Sequence, residues 1–305
     1  MARTTVVAHA KRKDENVTYA DGPPLDIVRY FQAKLLLKAE CFSSVDRFRE
    51  FGEIAERTAR AVDVGVIADA DTSRPPRVRE VIFIDTPDFR LYTHGYILRR
   101  RIAYVDGFPE GDAEIVFKFR DADVRNAAGL DVRPRIDGKY RIKFKEQVLP
   151  LDDRVGGYRV LYSHNCEFGV SQVHQRDRTR MSTLVRVFPP LARLKSAATE
   201  RVQLVNEAIV EELQLALARF DFGRGLVAKS NVALWRTRGT HAPLVGEYSF
   251  QMKFDRKENV PEKAMKLAKR FFVELQHDVE DWMARGTTKT RIVYGLNGRP
   301  IGKRE

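Results

Sequence analysis

Three successive segments of this chain alternate charged and apolar side chains, and that period of two leaves little choice of backbone. In residues 96–104, Arg99 and Arg101 share one face. In residues 113–120, Glu114, Lys118 and Arg120 share one face, while Ile115, Phe117 and Phe119 share the other. In residues 139–148, Lys139, Arg141, Lys143 and Lys145 line one face, with Tyr140, Ile142 and Phe144 opposite. Successive side chains of a strand point to opposite sides of its sheet, so these segments are expected as antiparallel strands with one apolar face. A flat sheet would turn the charged faces to solvent. A sheet closed into a barrel would turn them into its interior.

The remaining pattern places these strands in an α+β chain. Strands are expected over 29–42, 78–85, 158–164, 183–188, 232–238 and 247–254. A helix capped by Ser43 or Ser44 is expected to run to Val62, with Val45, Phe48, Phe51, Ala55 and Ala59 on one side. Val202, Val205, Ile209, Leu213 and Ala216 stand at helical spacing and predict a helix over 197–219, with Glu211 and Glu212 as a solvated pair on it. A last helix is expected over 261–285, with Pro261 in its first turn and Gly286 beyond its end. Gly223-Arg224-Gly225 reads as a turn, and residues 69–76 as a loop. His164, Cys166 and His174 have a loosely metal-like spacing without a fourth ligand. Trp235 and Trp282 are expected in the core.

Composition narrows the partners. The 305 residues are 43% hydrophobic and 31% charged, which fits a globular protein and excludes global disorder. The net charge of +12 is concentrated in the second half, since residues 1–150 contribute only +3. Such a surplus suits an anionic partner: a phosphate compound, a nucleic acid or an anionic membrane. Two cysteines, Cys41 and Cys166, exclude a disulfide framework. Without a long apolar run or a signal-like start, a cytoplasmic setting is expected.

The stretch IDTPDFRLYTHGYILRRR, ending at Arg101, resembles the CYTH superfamily, the triphosphate tunnel metalloenzymes. EIVFKFR, YRIKFKEQV and LVGEYSFQMKF resemble later strands of that family by order and spacing. The resemblance covers most of residues 29–285. It implies one tunnel-barrel domain over 25–288, preceded by a leader (1–24), interrupted by an insertion near 151–193 and followed by a basic tail (289–305). It also implies an antiparallel barrel with a charged interior and flanking helices.

The family acts on triphosphates, with basic residues holding phosphate and glutamates holding Mg²⁺ or Mn²⁺. By strand position, the resemblance assigns phosphate contacts to Lys38, Arg99, Arg101, Lys118, Arg120, Arg141, Lys143, Lys145, Arg236, Arg238 and Lys253, with Lys34 on the same faces. It assigns metal binding to Glu40, Glu114 and Glu247. The chain departs from the pattern where acids are usual, reading Lys38-Ala39-Glu40-Cys41-Phe42 and Arg141-Ile142-Lys143-Phe144-Lys145. The expected ligand is therefore a triphosphate, a polyphosphate or a nucleotide. Metal-dependent phosphohydrolysis, and less so adenylate cyclisation, is the activity implied. The rival expectations are a polyanion-binding protein with a degenerate metal site, and a nucleic-acid binder using an external basic face.

Overall fold

The computed structural model describes residues 18–19, 24–69, 75–174, 177–296 and 298; most of the expected leader, residues 70–74 of the expected loop and the end of the expected tail lie outside them. In chain order the elements are β1 (Tyr30–Leu37), α1 (Val45–Ala61), β2 (Gly65–Ile67), β3 (Arg77–Asp85), α2 (Arg90–Thr93), β4 (Tyr96–Val105), β5 (Phe108–Asp121) and α3 (Val124–Ala128). There follow β6 (Arg141–Pro150), β7 (Tyr158–Gly169), α4 (Met181–Val187), β8 (Gln203–Ala216), β9 (Arg219–Asp221), β10 (Val227–Thr237), β11 (Pro243–Lys253), α5 (Glu262–Asp278) and α6 (Lys289–Tyr294).

Nine strands close on themselves in the order β11-β1-β6-β7-β5-β4-β3-β8-β10, with β10 pairing back to β11. Every neighbouring pair in this ring is antiparallel except β1–β6, which is parallel. Closure removes the unpaired edges that would otherwise template association. The short strands β9 and β2 extend from one end of β10. The architecture is α+β: a closed, mainly antiparallel barrel with flanking helices.

Most of the apolar core lies outside the barrel wall. Phe31, Ala33, Leu35 and Leu37 of β1 and Tyr248, Phe250 and Met252 of β11 face outward, where α1 and α5 cover them. The buried stripe of α1 is Phe48, Phe51, Ala55 and Ala59, as the helical spacing predicts; that of α5 includes Ala268, Phe271, Phe272 and Leu275. Each fully buried Phe contributes roughly 1.5–3 kcal/mol. A second cluster joins Leu98, Phe117, Cys166 and Phe168 on the outer wall to Met181, Leu184 and Phe188. With the apolar side chains spent on the outer layer, the charged half of each alternating strand faces inward.

Three elements depart from expectation. Residues 203–216 form β8 instead of a helix, because pairing with β3 and β10 outweighs a marginal helical spacing. Asn206 and Glu207 have positive φ (51° and 54°), and the register slips there, so a bulge hides the period of two. Residues 181–187 form α4 instead of a strand, burying Met181, Leu184 and Val187 at spacing three. The last long helix ends at Asp278, ahead of Gly286, and the segment read as a basic tail carries α6. Within the stretch read as an insertion, β7 is a stave of the barrel between β6 and β5.

Candidate functional site

Register alone builds the interior. Arg79 of β3 pairs with Glu212 of β8, Val81 with Arg101 of β4, and Phe83 with Arg99. Lys118 and Arg120 of β5 pair with Asn165 and Ser163 of β7, which pair in turn with Lys143 and Lys145 of β6. Lys34 of β1 pairs with Ser249 of β11, and Leu36 with Glu247. Paired residues in a ladder share a face, so all of these side chains point into the barrel. They line a cavity of about 210 Å³ whose lining carries eleven basic and four acidic side chains.

Three buried glutamates temper that surplus. Glu167 of β7 meets Lys143 Nζ at 2.7 Å, Arg141 at 2.5 Å and Arg101 at 3.7 Å. Burial would raise its pKa, but Lys143, Arg101 and Arg141 together hold it down to about 2. Glu212 meets Arg79 at 2.5 Å and accepts from Trp235 Nε1 at 2.9 Å. Glu247 meets Lys34 Nζ at 3.6 Å and Lys289 Nζ at 2.8 Å. Although burial opposes ionisation, neighbouring cations hold Glu212 and Glu247 below the usual carboxylate range.

Other cations lack such relief. Arg99 forms no ion pair among the described residues, and its buried Nε has no hydrogen-bond partner among them. Burial, and then Arg101, lowers its basicity. Lys145 Nζ donates to two neutral amides, Gln251 Oε1 at 2.7 Å and Gln32 Oε1 at 3.4 Å. Burial, Lys34 and Lys143 push its pKa well below the ordinary lysine value. Burial also brings Lys34 down to about 8, against the pull of Glu247 and with the push of Lys289. Crowded, desolvated cations of this kind are stabilised by an anion bearing several charges.

Of the residues assigned by resemblance, Arg99, Arg101, Lys118, Arg120, Lys143, Lys145 and Glu247 line the cavity, as does Lys34. The others do not. Arg141 and Glu114 stand at the rim, where Glu114 pairs with Arg101 and also meets Arg141 at 3.5 Å. Arg236 and Arg238 lie outside the cavity, because Trp235 takes the inward position on β10. Arg236 pairs with Glu211 at 2.5 Å, and Arg238 pairs with Glu80. Lys38 and Glu40 fall beyond the end of β1, Lys253 is the last residue of β11, and all three are exposed. Lys38 Nζ instead donates to Asp281 O at 2.8 Å.

Sequence reasoning missed Arg79, Glu167, Glu212 and Lys289. Glu167 and Glu212 were hidden in a stretch read as an insertion and in one read as a helix. Their signal was period-two spacing with Asn165 and Gln214. His164 is a structural residue: its ring nitrogens meet Ala127 O and Asp26 Oδ2, each at 3.0 Å.

A divalent metal is a poor fit to this donor set. Among the described residues no three His, Cys, Asp or Glu side chains gather in a metal-binding group, and Glu40, Glu114 and Glu247 stand apart. Glu212 and Glu247 face each other across the Lys289 ammonium, which already meets both. At an effective dielectric constant of 20, a divalent ion about 4 Å from that ammonium would be repelled by roughly 8 kcal/mol.

The D-T-P-D turn has a supporting role. Asp85 is fully buried and accepts from the backbone N–H groups of Thr86, Leu91 and Tyr92 at 2.7, 2.8 and 3.0 Å. It also accepts from Tyr294 Oη at 2.9 Å, which ties α6 to the start of the Arg-rich strand. Asn206 on the β8 bulge donates to Val293 O and Tyr294 O, both at 2.8 Å. An apolar cluster of Val81, Phe83, Ile97, Trp235, Val293 and Tyr294 packs α6 against the barrel.

No helix among the described residues is long and apolar enough to cross a membrane. No protein-family model and no curated protein matches the chain. Solved structures do. HpAC1 of Hippeastrum, described as having a dominant triphosphatase activity, is 13% identical with a TM-score of 0.42, over 90% of this chain and 98% of its own. The PH1819 protein of Pyrococcus horikoshii is 13% identical with a TM-score of 0.36, over 88% of this chain and 99% of its own. A Bacillus halodurans protein described as a candidate adenylate cyclase is 10% identical with a TM-score of 0.35, over 86% and 95% of the two chains.

Proposed function

We propose that the barrel interior binds a phosphate chain, either a tripolyphosphate-like ligand or the triphosphate of a nucleotide, as a divergent member of the CYTH type. The observation that carries this reading is the cation excess of an enclosed cavity, in which Arg99, Lys145 and Lys34 are crowded and desolvated without full compensation. A chain of phosphates presents several charges along one line and engages cations from several strands at once. Orthophosphate engages fewer of them. A nucleic-acid duplex is too wide for the interior of a nine-strand barrel, so tight duplex binding with a steep salt dependence would favour the external-face alternative.

Turnover is not part of the reading. Hydrolysis of the CYTH type needs acids free to hold a metal, and Glu167, Glu212 and Glu247 are each held by basic side chains. The experiment is a thermal-shift and calorimetric comparison of tripolyphosphate with orthophosphate at equal ionic strength. A ligand that binds only the folded state raises the melting temperature by mass action. Tripolyphosphate is expected to bind at least about tenfold tighter, a difference of about 1.4 kcal/mol. Equal effects, or none, would remove the phosphate-chain reading.

A further inference from the structure

Glu212 and Glu247 reach into the barrel from β8 and β11, the two neighbours of β10, and Lys289 reaches between them from the first position of α6. Its Nζ lies 2.8 Å from Glu247 Oε1, 3.6 Å from Glu212 Oε1 and 4.3 Å from the centre of the Trp235 ring. All four carboxylate oxygens face donors or cations. Glu212 Oε1 has Trp235 Nε1 and Lys289, and its Oε2 has Arg79. Glu247 Oε1 has Lys289, and its Oε2 has Lys34. The result is an alternating row of charge: Arg79, Glu212, Lys289, Glu247, Lys34.

We propose that Lys289 is an internal cation standing where a divalent ion would bridge Glu212 and Glu247, so that the protein itself holds no divalent metal in the barrel. A hard divalent ion needs several free oxygen ligands, and here it would have to displace an ammonium that is part of the chain. A lysine suits the position because its charge is compact and carries three donors. The placement of α6 is strongly determined. Thr288 Oγ1 accepts from Arg291 N at its start, while Asn206 and Asp85 hold its end. A phosphate chain would then meet Lys289 in place of a bound metal, a consequence that rests on the reading above.

The test contains no phosphate, so its outcome is independent of that reading. Mn²⁺ is titrated into the full chain and followed by electron paramagnetic resonance of the free ion. Wild type is expected to show no saturable site up to about 1 mM, and Lys289→Met should gain one site at least about tenfold tighter. Adding Glu247→Gln to Lys289→Met should remove that site again. The proposal is overturned if wild type binds one Mn²⁺ through Glu247, or if folded Lys289→Met gains none. Circular dichroism establishes folding, and Lys289→Gln replaces the Met variant should the latter not fold. If neither variant folds, the wild-type titration decides: a site that Glu247→Gln abolishes overturns the proposal, and its absence supports it.

Discussion

Tyr294, the last residue of α6, donates its hydroxyl to Asp85 across 209 positions of sequence. This bond joins the turn before the Arg-rich strand β4 to the helix that carries Lys289. Burial raises the Asp85 pKa to about 6, against three backbone N–H groups and the tyrosine hydroxyl that favour the ionised form.

Asp85→Ala would leave those four donors buried without their acceptor. Since an unsatisfied buried donor costs about 1–3 kcal/mol, a loss of at least about 3 kcal/mol is expected in urea unfolding. Tyr294→Phe removes one donor and should cost about 1 kcal/mol. A loss below about 1 kcal/mol for Asp85→Ala would show that the turn does not depend on this carboxylate.

Arg99 and Arg236 separate cavity charge from total charge. Each substitution to Ala removes one positive charge, but Arg99 faces the cavity and Arg236 pairs with Glu211 outside it. Tripolyphosphate affinity is expected to fall at least about tenfold in Arg99→Ala, as for a lost charged hydrogen bond, and less than about twofold in Arg236→Ala. Equal losses in calorimetry would point to binding by general surface charge.

Glu167 should act on stability and on binding with opposite signs. Removing its charge in Glu167→Gln leaves Lys143 uncompensated and Arg101 and Arg141 with Glu114 alone, which is expected to cost roughly 3 kcal/mol in the empty protein. The same change increases the cation surplus and should tighten tripolyphosphate binding. Melting curves with and without ligand measure both effects. Weaker binding in the variant would mean that Glu167 is itself needed at the ligand.

Lys34 supplies a pH signature. Its pKa is about 8 in the folded chain and ordinary, near 10.5, in the unfolded one. Between those values the unfolded state binds more protons, so this group's contribution to stability rises with pH. Phosphate binding should weaken as Lys34 loses its charge above pH 8. The stability gap between wild type and Lys34→Met is therefore expected to shift in favour of wild type from pH 8 to 10.5. A pH-independent gap would place the Lys34 pKa at its ordinary value.

The sequence by itself determined the strands whose alternation is uninterrupted and which side chains share a face on each. Arg99 with Arg101, Lys118 with Arg120 and Lys143 with Lys145 follow from the period of two, a local property of extended backbone. It also determined α1 and much of α5, whose apolar stripes recur at helical spacing. Closure was decided only in the tertiary structure, because it depends on β10 meeting β11 and on β1 lying parallel to β6. That closure gave the charged faces an inside. Local spacing misread β8, since the bulge at Asn206 and Glu207 breaks its period and pairing on both flanks overrides its helical residues. The same cause hid Glu212. Arg236 and Arg238 were put outside by the phase of β10, in which Trp235 takes the inward place. No local pattern brings Lys289 to Glu212 and Glu247; long-range bonds from Asp85 and Asn206 hold its helix there.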